Sequence, residues 1–334
     1  MQWASKPKHN GKNLLVIPQS NPAVTFIISA SLQILKLNNM NSSNNSSAVL
    51  VAGATGYLGT EICRQLISNN KKVIGLVRTT SDAGKVDYLK ALGVQIVEGD
   101  LKNIDSLKNA LKNVNAVITT VSSTLSRQEG DSIQAVDEEG QINLVDAAVS
   151  AGVGHFVYIS LCEVGDCPLQ TAKRVVEKHL AESGLTYTIL QPTYFMDVWL
   201  SPALGFDYPN AKATIFGEGK NKVSWIAIKD VASFAVHSLD NPAAKNRMIE
   251  LGGPEALSPL EVVNIFEIAK GKKFELQFVP EEALRAQRDA AADPISKTFA
   301  TLTMGVVNGS QINMTTVLAD FPIRLTAVSE YASS

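Results

Sequence analysis

The chain has 334 residues and a formal net charge of −2; 45% of its residues are hydrophobic and 19% are charged. This composition excludes a disordered or fibrous protein, and the near-neutral charge favours neither a nucleic-acid nor a membrane partner. Three cysteines, Cys63, Cys162 and Cys167, form no repeating framework. A secreted, disulfide-stapled fold is therefore disfavoured, and a cytoplasmic location is expected.

Residues 1–47 differ in composition from the rest of the chain. An apolar run at 23–35 precedes the polar segment NNMNSSNNSS, which cannot form a packed core. The run is shorter than the roughly 20 residues that a membrane-spanning helix needs. Lysines before the run leave a signal peptide as the alternative, although no small-residue cleavage site follows. We expect an unstructured leader.

The segment AVLVAGATGYLGTEICRQLISNN, at 48–70, has the pattern of a strand, a glycine-rich turn and a helix. Gly53, Gly56 and Gly59 lie between the strand and the helix. Glycines there let the backbone turn tightly and approach a pyrophosphate at the positive end of the helix. The segment therefore predicts a dinucleotide-binding site.

The next predicted strand, KVIGLVR at 72–78, ends in Arg78, about twenty residues past the glycines. NAD-specific proteins commonly place an acidic residue at this point, where it binds the adenosine ribose. A guanidinium matches a 2′-phosphate in shape and charge instead. The sequence thus favours NADP(H) over NAD(H), with a solvated arginine at a strand end as the alternative.

Further strands are predicted in VQIVEGDL at 94–101, NAVITTVSS at 115–123 and HFVYIS at 155–160, with helices between them. This alternation predicts an α/β fold, a Rossmann-type doubly wound parallel sheet covered by helices on both faces. Ligands bind such sheets at the carboxyl ends of the strands. The residues expected to line that crevice are Asp100, Thr119, Thr120, Val121, Ser122 and Ser160.

The segments VAGATGYLG, VEGDL, HFVYIS and AKRVVEKHLAESGLTYTILQP, in this order, resemble the NmrA-like family of atypical short-chain dehydrogenases/reductases. The resemblance covers about residues 48–290. The family includes NADPH-dependent quinone reductases, isoflavone-reductase-type enzymes and redox sensors that bind the nucleotide without turnover. Gln191 departs from the family pattern, which commonly has arginine before the last proline of this segment.

The resemblance implies positions for a bound cofactor. Arg78 would lie near the adenosine phosphate, Asp100 near adenine and Lys173 at the nicotinamide ribose. The residues to which it assigns cofactor binding are Gly53, Thr55, Gly56, Tyr57, Leu58, Gly59, Arg78, Asp100, Leu101, Thr119, Thr120, Val121, Ser122, Lys173, Pro192, Thr193 and Phe195.

The helix that carries Lys173 lacks the usual proton donor of the wider superfamily. Typical members have a tyrosine four residues before the lysine, one turn away on the same helix face, and this chain has Leu169. Ordinary carbonyl reduction is therefore disfavoured. Hydride transfer to an electron-poor acceptor such as a quinone is not, because the reduced product can take its proton from water. Lys173 is the candidate acid, with ribose binding alone as the alternative.

A few other side chains are candidates for a role in catalysis. Ser160 occupies the position of the serine that orients a carbonyl in the superfamily, and Tyr194 either replaces the missing phenol or forms a pocket wall. Cys162 and Cys167 would be redox-active only if exposed with a lowered pKa. No zinc-ligand spacing is present, so no metal is expected.

After Pro192 the alternation weakens, and we expect three parts: a leader at 1–47, a nucleotide-binding Rossmann domain at 48–192, and a small α+β substrate-binding lobe with C-terminal helices at 193–334. Asp230 is the expected N-cap of one helix, and Ser258, with Pro259 and Glu261 after it, that of another. Phe299, Leu302 and Met304 are expected to face inward.

These features predict an NAD(P)H-dependent oxidoreductase that transfers hydride to a small electron-poor acceptor, with a quinone as the most concrete substrate. The alternative is a redox sensor or regulatory protein that binds NADP(H) without catalysis and signals to a protein partner. A cofactor-dependent assembly factor is a third hypothesis, on family analogy alone.

Overall fold

The computed structural model describes residues 48–125 and 128–334, and these form one compact unit. The expectation of an unstructured leader at 1–47 lies outside the described residues. No helix in the described ranges is long and apolar enough to cross a membrane.

The core of the fold is a seven-stranded sheet in which every neighbouring pair is parallel. Its strands are β1 Ala48–Ala52, β2 Val73–Val77, β3 Gln95–Glu98, β4 Val114–Thr119, β5 His155–Ile159, β6 Tyr187–Pro192 and β9 Arg247–Leu251. They lie in the order β3-β2-β1-β4-β5-β6-β9. A second sheet contains β7 Phe206–Asp207, β8 Lys212–Phe216 and β10 Glu275–Val279, in the order β10-β8-β7.

Helices cover both faces of the large sheet. The α-helices of the described residues are, in chain order, α1 Tyr57–Ser68, α2 Ala83–Ala91, α3 Ile104–Ala110, α4 Glu139–Ala151, α5 Pro168–Glu182, α6 Met196–Trp199, α7 Ile228–Ser238, α8 Pro259–Lys270, α9 Glu281–Ala290, α10 Pro294–Asn308, α11 Thr315–Asp320 and α12 Val328–Ser333. Of these, α8 packs against the small sheet. A π-helical turn, Ile133–Glu138, leads into α4.

Burial explains why these segments fold as they do. Every residue of β1, β2 and β5 is buried, as continuous apolar runs in a two-sided parallel sheet require. In α1, Leu58, Ile62 and Leu66 recur at helical spacing and are buried against the sheet. Two large apolar clusters form, and successive residues of β1 alternate between them. The Rossmann-type α/β prediction is confirmed.

The C-terminal part confirms one predicted helix cap and corrects another. Ser258 caps α8 in a complete capping box with Glu261. Asp230, however, lies inside the first turn of α7, whose N-cap is Ala227, and the carboxylate of Asp197 accepts from the amide of Ile228. The Asp230 carboxylate instead accepts hydrogen bonds from Thr326, near the C-terminus. The cap prediction at Asp230 was wrong because a long-range partner takes its side chain.

The chain after residue 192 contributes to both sheets. β9 pairs with β6 at the edge of the large sheet, and Gln65 of α1 donates to the carbonyl of Lys229 on α7. The division of the chain at residue 192 stays a prediction. The large sheet includes β9, which lies beyond that residue.

Candidate functional site

A cavity of about 650 Å³ lies at the carboxyl ends of the strands of the large sheet. This volume is typical of a small-molecule or cofactor site. Its walls are formed by the segments that follow β1, β2, β3, β4, β5 and β6, together with side chains from α5 and α10. The position agrees with the expectation for an open parallel sheet.

The N-terminus of α1 faces this cavity. Gly56 is its N-cap, no side chain caps it, and no acidic residue lies in its first turn. The amides there remain available to an anion, favoured by the helix dipole. Gly59 permits the tight strand-to-helix connection, because a Cβ there would lie 2.1 Å from the carbonyl oxygen of Gly53. The arrangement fits a pyrophosphate.

Arg78 lies in the cavity wall after β2 and is held by a buried carboxylate. Its Nη1 is 2.7 Å from Oδ2 of Asp131, and Nζ of Lys102 is 2.7 Å from the other oxygen. The Asp131 side chain is 1% exposed, and these hydrogen bonds outweigh burial to lower its pKa. Arg78 is 25% exposed. The carboxylate therefore fixes the guanidinium in the cavity wall.

Lys173 projects from α5 into the same cavity and is 5% exposed. Its Nζ donates to the carbonyl oxygen of Ile159 at 3.1 Å and lies 5.1 Å from the centre of the Tyr158 ring. Burial lowers the pKa of Lys173, with nearby acids opposing the shift. A lysine in this state can both bind hydroxyl groups and release a proton.

The hydroxyl of Ser160 is hydrogen-bonded to the carboxylate of Glu177. Its Oγ donates to Oε1 of Glu177 at 2.5 Å, and the same oxygen accepts from Nη1 of Arg174 at 2.6 Å and from Nε2 of Gln191 at 2.8 Å. Gln191, where the family pattern has arginine, thus helps to satisfy Glu177. Since the Ser160 proton points to Glu177, this hydroxyl does not donate to the cavity in this arrangement.

Neither Leu169 nor Tyr194 places a proton donor in the cavity. The Leu169 side chain lines it and packs in a small apolar cluster with Ile133 and Cys167. The Tyr194 ring also lines it, but its hydroxyl donates to the carbonyl of Leu302 on α10 at 3.1 Å. Burial raises the pKa of Tyr194. The structure therefore favours the pocket-wall interpretation of Tyr194.

The end of the cavity beyond Lys173 is apolar and aromatic. The side chains of Tyr194 and Trp199 meet edge to face, with ring centres 5.0 Å apart. Phe299 and Leu302 of α10 also line the cavity, in agreement with their predicted inward orientation. Other lining residues here are Leu161, Val164, Leu169, Val198 and Leu204. Such walls suit a flat, uncharged molecule.

Most residues assigned from sequence line the cavity together. They are Gly53, Thr55, Gly56, Tyr57, Leu58, Arg78, Asp100, Leu101, Thr120, Val121, Ser122, Ser160, Lys173, Pro192, Thr193, Tyr194 and Phe195. Two do not line it. Thr119 is fully buried and donates to Gln141, and Gly59 lies behind the first turn of α1, against Gly53.

The cysteines do not meet the condition set for redox activity. Cys162 and Cys167 are 2% and 1% exposed. Burial raises the pKa of both thiols, that of Cys162 to about 11. The reactive thiolate is therefore disfavoured at each site.

Sequence reasoning missed several wall residues, notably Lys85, Gln128 and Asp131. Each lies beyond the carboxyl end of β2 or β4, in segments with no periodic pattern. The sequence signal that could have identified them was their position after strands whose carboxyl ends border the cavity.

A family model described as the NmrA-like family matches residues 45–331. The chain belongs to this family. Its NmrA-like relatives include the photosystem II assembly factor Ycf39 of Synechocystis, 32% identical over 243 residues, with 72% of this chain and 73% of that protein covered. An NAD(P)H azoreductase of Xenophilus azovorans is 34% identical over 229 residues, with 67% and 74% covered.

The NmrA-like fold is also found in a solved structure, the NADPH-dependent quinone oxidoreductase QOR2 of Escherichia coli complexed with NADPH. It superposes with a TM-score of 0.69 at 22% sequence identity and covers 85% of this chain and 98% of that one.

Proposed function

We propose that this NmrA-like protein is an NAD(P)H-dependent oxidoreductase that transfers hydride to a small electron-poor acceptor, with a quinone as the model substrate. The observation that carries the proposal is one continuous cavity. It joins the uncapped N-terminus of α1 to the buried Lys173 and then to an aromatic, apolar end. This sequence of surfaces matches a pyrophosphate, a nicotinamide ribose and a flat acceptor.

The chain's own groups fit a dinucleotide. The first turn of α1 would hold the pyrophosphate, Arg78 the adenosine 2′-phosphate and Lys173 the nicotinamide ribose, while Asp100 and Leu101 would lie near adenine. When bound, the reduced nicotinamide supplies hydride, which carries two electrons. The guanidinium at Arg78 supports a preference for NADP(H). The NADPH and NAD(P)H in the names of the relatives support the same class of cofactor.

Reduction of a quinone to a hydroquinone takes one hydride and one proton. Of these three candidates, Lys173 is the one left to donate a proton, because the proton of Ser160 points to Glu177 and the hydroxyl of Tyr194 to Leu302. Water can supply the proton as well, since the hydroquinone anion is a weak base. A ketone would give a strongly basic alkoxide, for which the missing phenol at Leu169 is a larger loss.

The test measures NADPH oxidation by the purified protein against a panel of quinones, azo dyes and small carbonyls. We expect turnover of quinones or azo dyes and little of carbonyls. Lys173→Ala should reduce turnover about a hundredfold if the amine is the acid, with NADPH still bound. The matched control is Lys178→Ala, which changes an exposed lysine on the same helix. Tight NADPH binding with no turnover of any acceptor would refute the enzymatic proposal.

That outcome would favour the second candidate, a regulatory or assembly protein that binds NADP(H) and contacts a protein partner. Two observations support it: the absence of a phenol at Leu169, and the name of the Synechocystis relative. In the enzymatic proposal the partner is a small-molecule substrate, no nucleic acid or membrane is bound, and the protein acts in the cytoplasm.

A further inference from the structure

A second cation contacts the carboxylate that holds Arg78. Asp131 lies between β4 and the π-helical turn, and its side chain is buried. Nζ of Lys102, in the segment between β3 and α3, donates to Oδ1 at 2.7 Å, and Nη1 of Arg78 donates to Oδ2 at 2.7 Å. The backbone amide of Gln128 also donates to Oδ2, at 3.0 Å. Each oxygen of the carboxylate thus has its own cation.

Arg78 makes a single contact with this carboxylate. The bond from Nη1 to Oδ2 is the only side-chain hydrogen bond of Arg78 within the parts of the chain that the structure describes. Arginine and a carboxylate often pair as a fork, in which two N–H groups meet the two oxygens. Here Lys102, and not a second guanidinium donor, occupies Oδ1. Nε and Nη2 of Arg78 therefore have no partner among the described residues.

Lys102 also changes the net charge of this group. Arg78 and Asp131 alone would form a neutral pair, whereas the three side chains together keep one positive charge. Burial raises the pKa of Asp131, but the hydrogen bonds from Lys102, Arg78 and Gln128 together outweigh burial and lower it, so the carboxylate is ionised. Arg78 and Asp131 line the cavity and Lys102 does not. Lys102 is therefore placed to act on a ligand through Asp131 and not by contact.

We propose that Lys102 is a specificity-determining residue for the adenosine 2′-phosphate. By binding Oδ1 of Asp131, it limits Arg78 to one contact with the carboxylate and leaves the remaining guanidinium donors for the phosphate. Lys102 is a positioning residue, because it acts on the nucleotide only through Asp131 and Arg78. The inference rests on the proposed function for its ligand, whereas the contacts among the three side chains do not depend on a ligand.

The first test compares the affinities of the purified protein for NADPH and NADH by fluorescence titration. In Lys102→Met, Oδ1 of Asp131 can accept a second donor from Arg78, so NADPH affinity should fall about three- to tenfold while NADH affinity stays the same. Lys102→Arg, which keeps a cation for Oδ1, should retain most of the NADPH affinity. Lys108→Met is the matched control, since it removes the cation of an exposed ion pair with Asp105 on α3. Neither affinity should change in the control.

A double-variant cycle separates positioning from a simple effect of charge. In Asp131→Asn the anion that competes for Arg78 is absent, so adding Lys102→Met should weaken NADPH binding by less than about twofold. An unchanged NADPH affinity in Lys102→Met, the same loss in both backgrounds, or an equal loss for NADH would overturn this inference and leave the proposed function intact. No binding of either nucleotide by the unchanged protein would refute the proposed function and the phosphate specificity together.

A crystal structure of apo Lys102→Met covers the case in which Asp131→Asn folds poorly. We expect two contacts between Arg78 and Asp131 in place of one, because Oδ1 has lost its cation. A single contact, unchanged from the present structure, would contradict the role of Lys102. This measurement needs no nucleotide, so its outcome is separate from that of the proposed function.

Discussion

At the level of single residues, the chemistry of the candidate site depends on which partner each polar side chain has. Ser160, Tyr194 and Lys173 all lie in the cavity wall, but two of them direct their protons to Glu177 and to the carbonyl of Leu302. Only Lys173 combines exposure to the cavity with a pKa lowered by burial. This distinction narrows three sequence candidates for proton transfer to one.

Arg78 gives a prediction about cofactor choice. Arg78→Gln should weaken NADPH binding by about tenfold or more, because a charge-assisted contact with the 2′-phosphate is lost. NADH binding should change little, since NADH has no such phosphate. Fluorescence titration with both nucleotides measures the two affinities. Arg285→Gln, at a surface ion pair on α9, is the control. An equal loss for NADH would contradict a role in phosphate recognition.

Among the secondary structure elements, α10 determines the shape of the apolar end. The Tyr194 hydroxyl packs over Gly305, where a Cβ would lie 2.0 Å from it, and bonds to the helix at Leu302. Met304 of the same helix is buried in a small apolar cluster with Leu284 of α9. The fit of one tyrosine against one glycine therefore fixes how closely α10 covers the cavity.

Gly305→Ala should displace Tyr194 or lift α10, since the Tyr194 hydroxyl leaves no room for the added methyl group. We expect the KM for the acceptor to rise several-fold while the NADPH affinity stays the same, because the dinucleotide surfaces lie at the other end of the cavity. Steady-state kinetics and nucleotide titration separate the two effects. Ser296→Ala, on the exposed face of α10, should change neither quantity. An equal loss of NADPH affinity would argue against a local effect.

In the molecule as a whole, the C-terminal segment is fastened to α7, which packs against α1. Both carboxylate oxygens of Asp230 accept from Thr326, one from its amide at 2.7 Å and one from its hydroxyl at 2.9 Å. Burial raises the pKa of Asp230, and the hydrogen bonds from Thr326 oppose that effect. A contact nearly a hundred residues apart in the chain thus joins the C-terminus to the helix layer of the large sheet.

Asp230→Ala should lower the free energy of unfolding by about 2 kcal/mol, because it leaves buried donors of Thr326 without an acceptor. Urea denaturation measures the change. The matched control is Asp320→Ala, which removes a half-exposed ion pair with Arg247 and should cost less than about 1 kcal/mol. Equal effects of the two substitutions would show that the buried Asp230–Thr326 contact contributes no more to stability than the Asp320–Arg247 ion pair.

Features that depend on local pattern could be predicted from the amino-acid sequence alone. The apolar runs of β1 and β5, the helical spacing in α1 and the capping box at Ser258 each occupy a short stretch, so propensity and periodicity suffice to predict them. The carboxyl ends of parallel strands meet at one edge, and for this reason most of the assigned residues from separate segments line one cavity.

The pairing of side chains far apart in the chain was set by tertiary packing. The Thr119 hydroxyl donates to Gln141, and Arg78 pairs with the carboxylate of Asp131. Asp230 binds Thr326 instead of capping a helix. Tertiary packing also added β9 to the sheet beside β6. These outcomes depend on burial and hydrogen-bond satisfaction between distant segments, which no local pattern encodes.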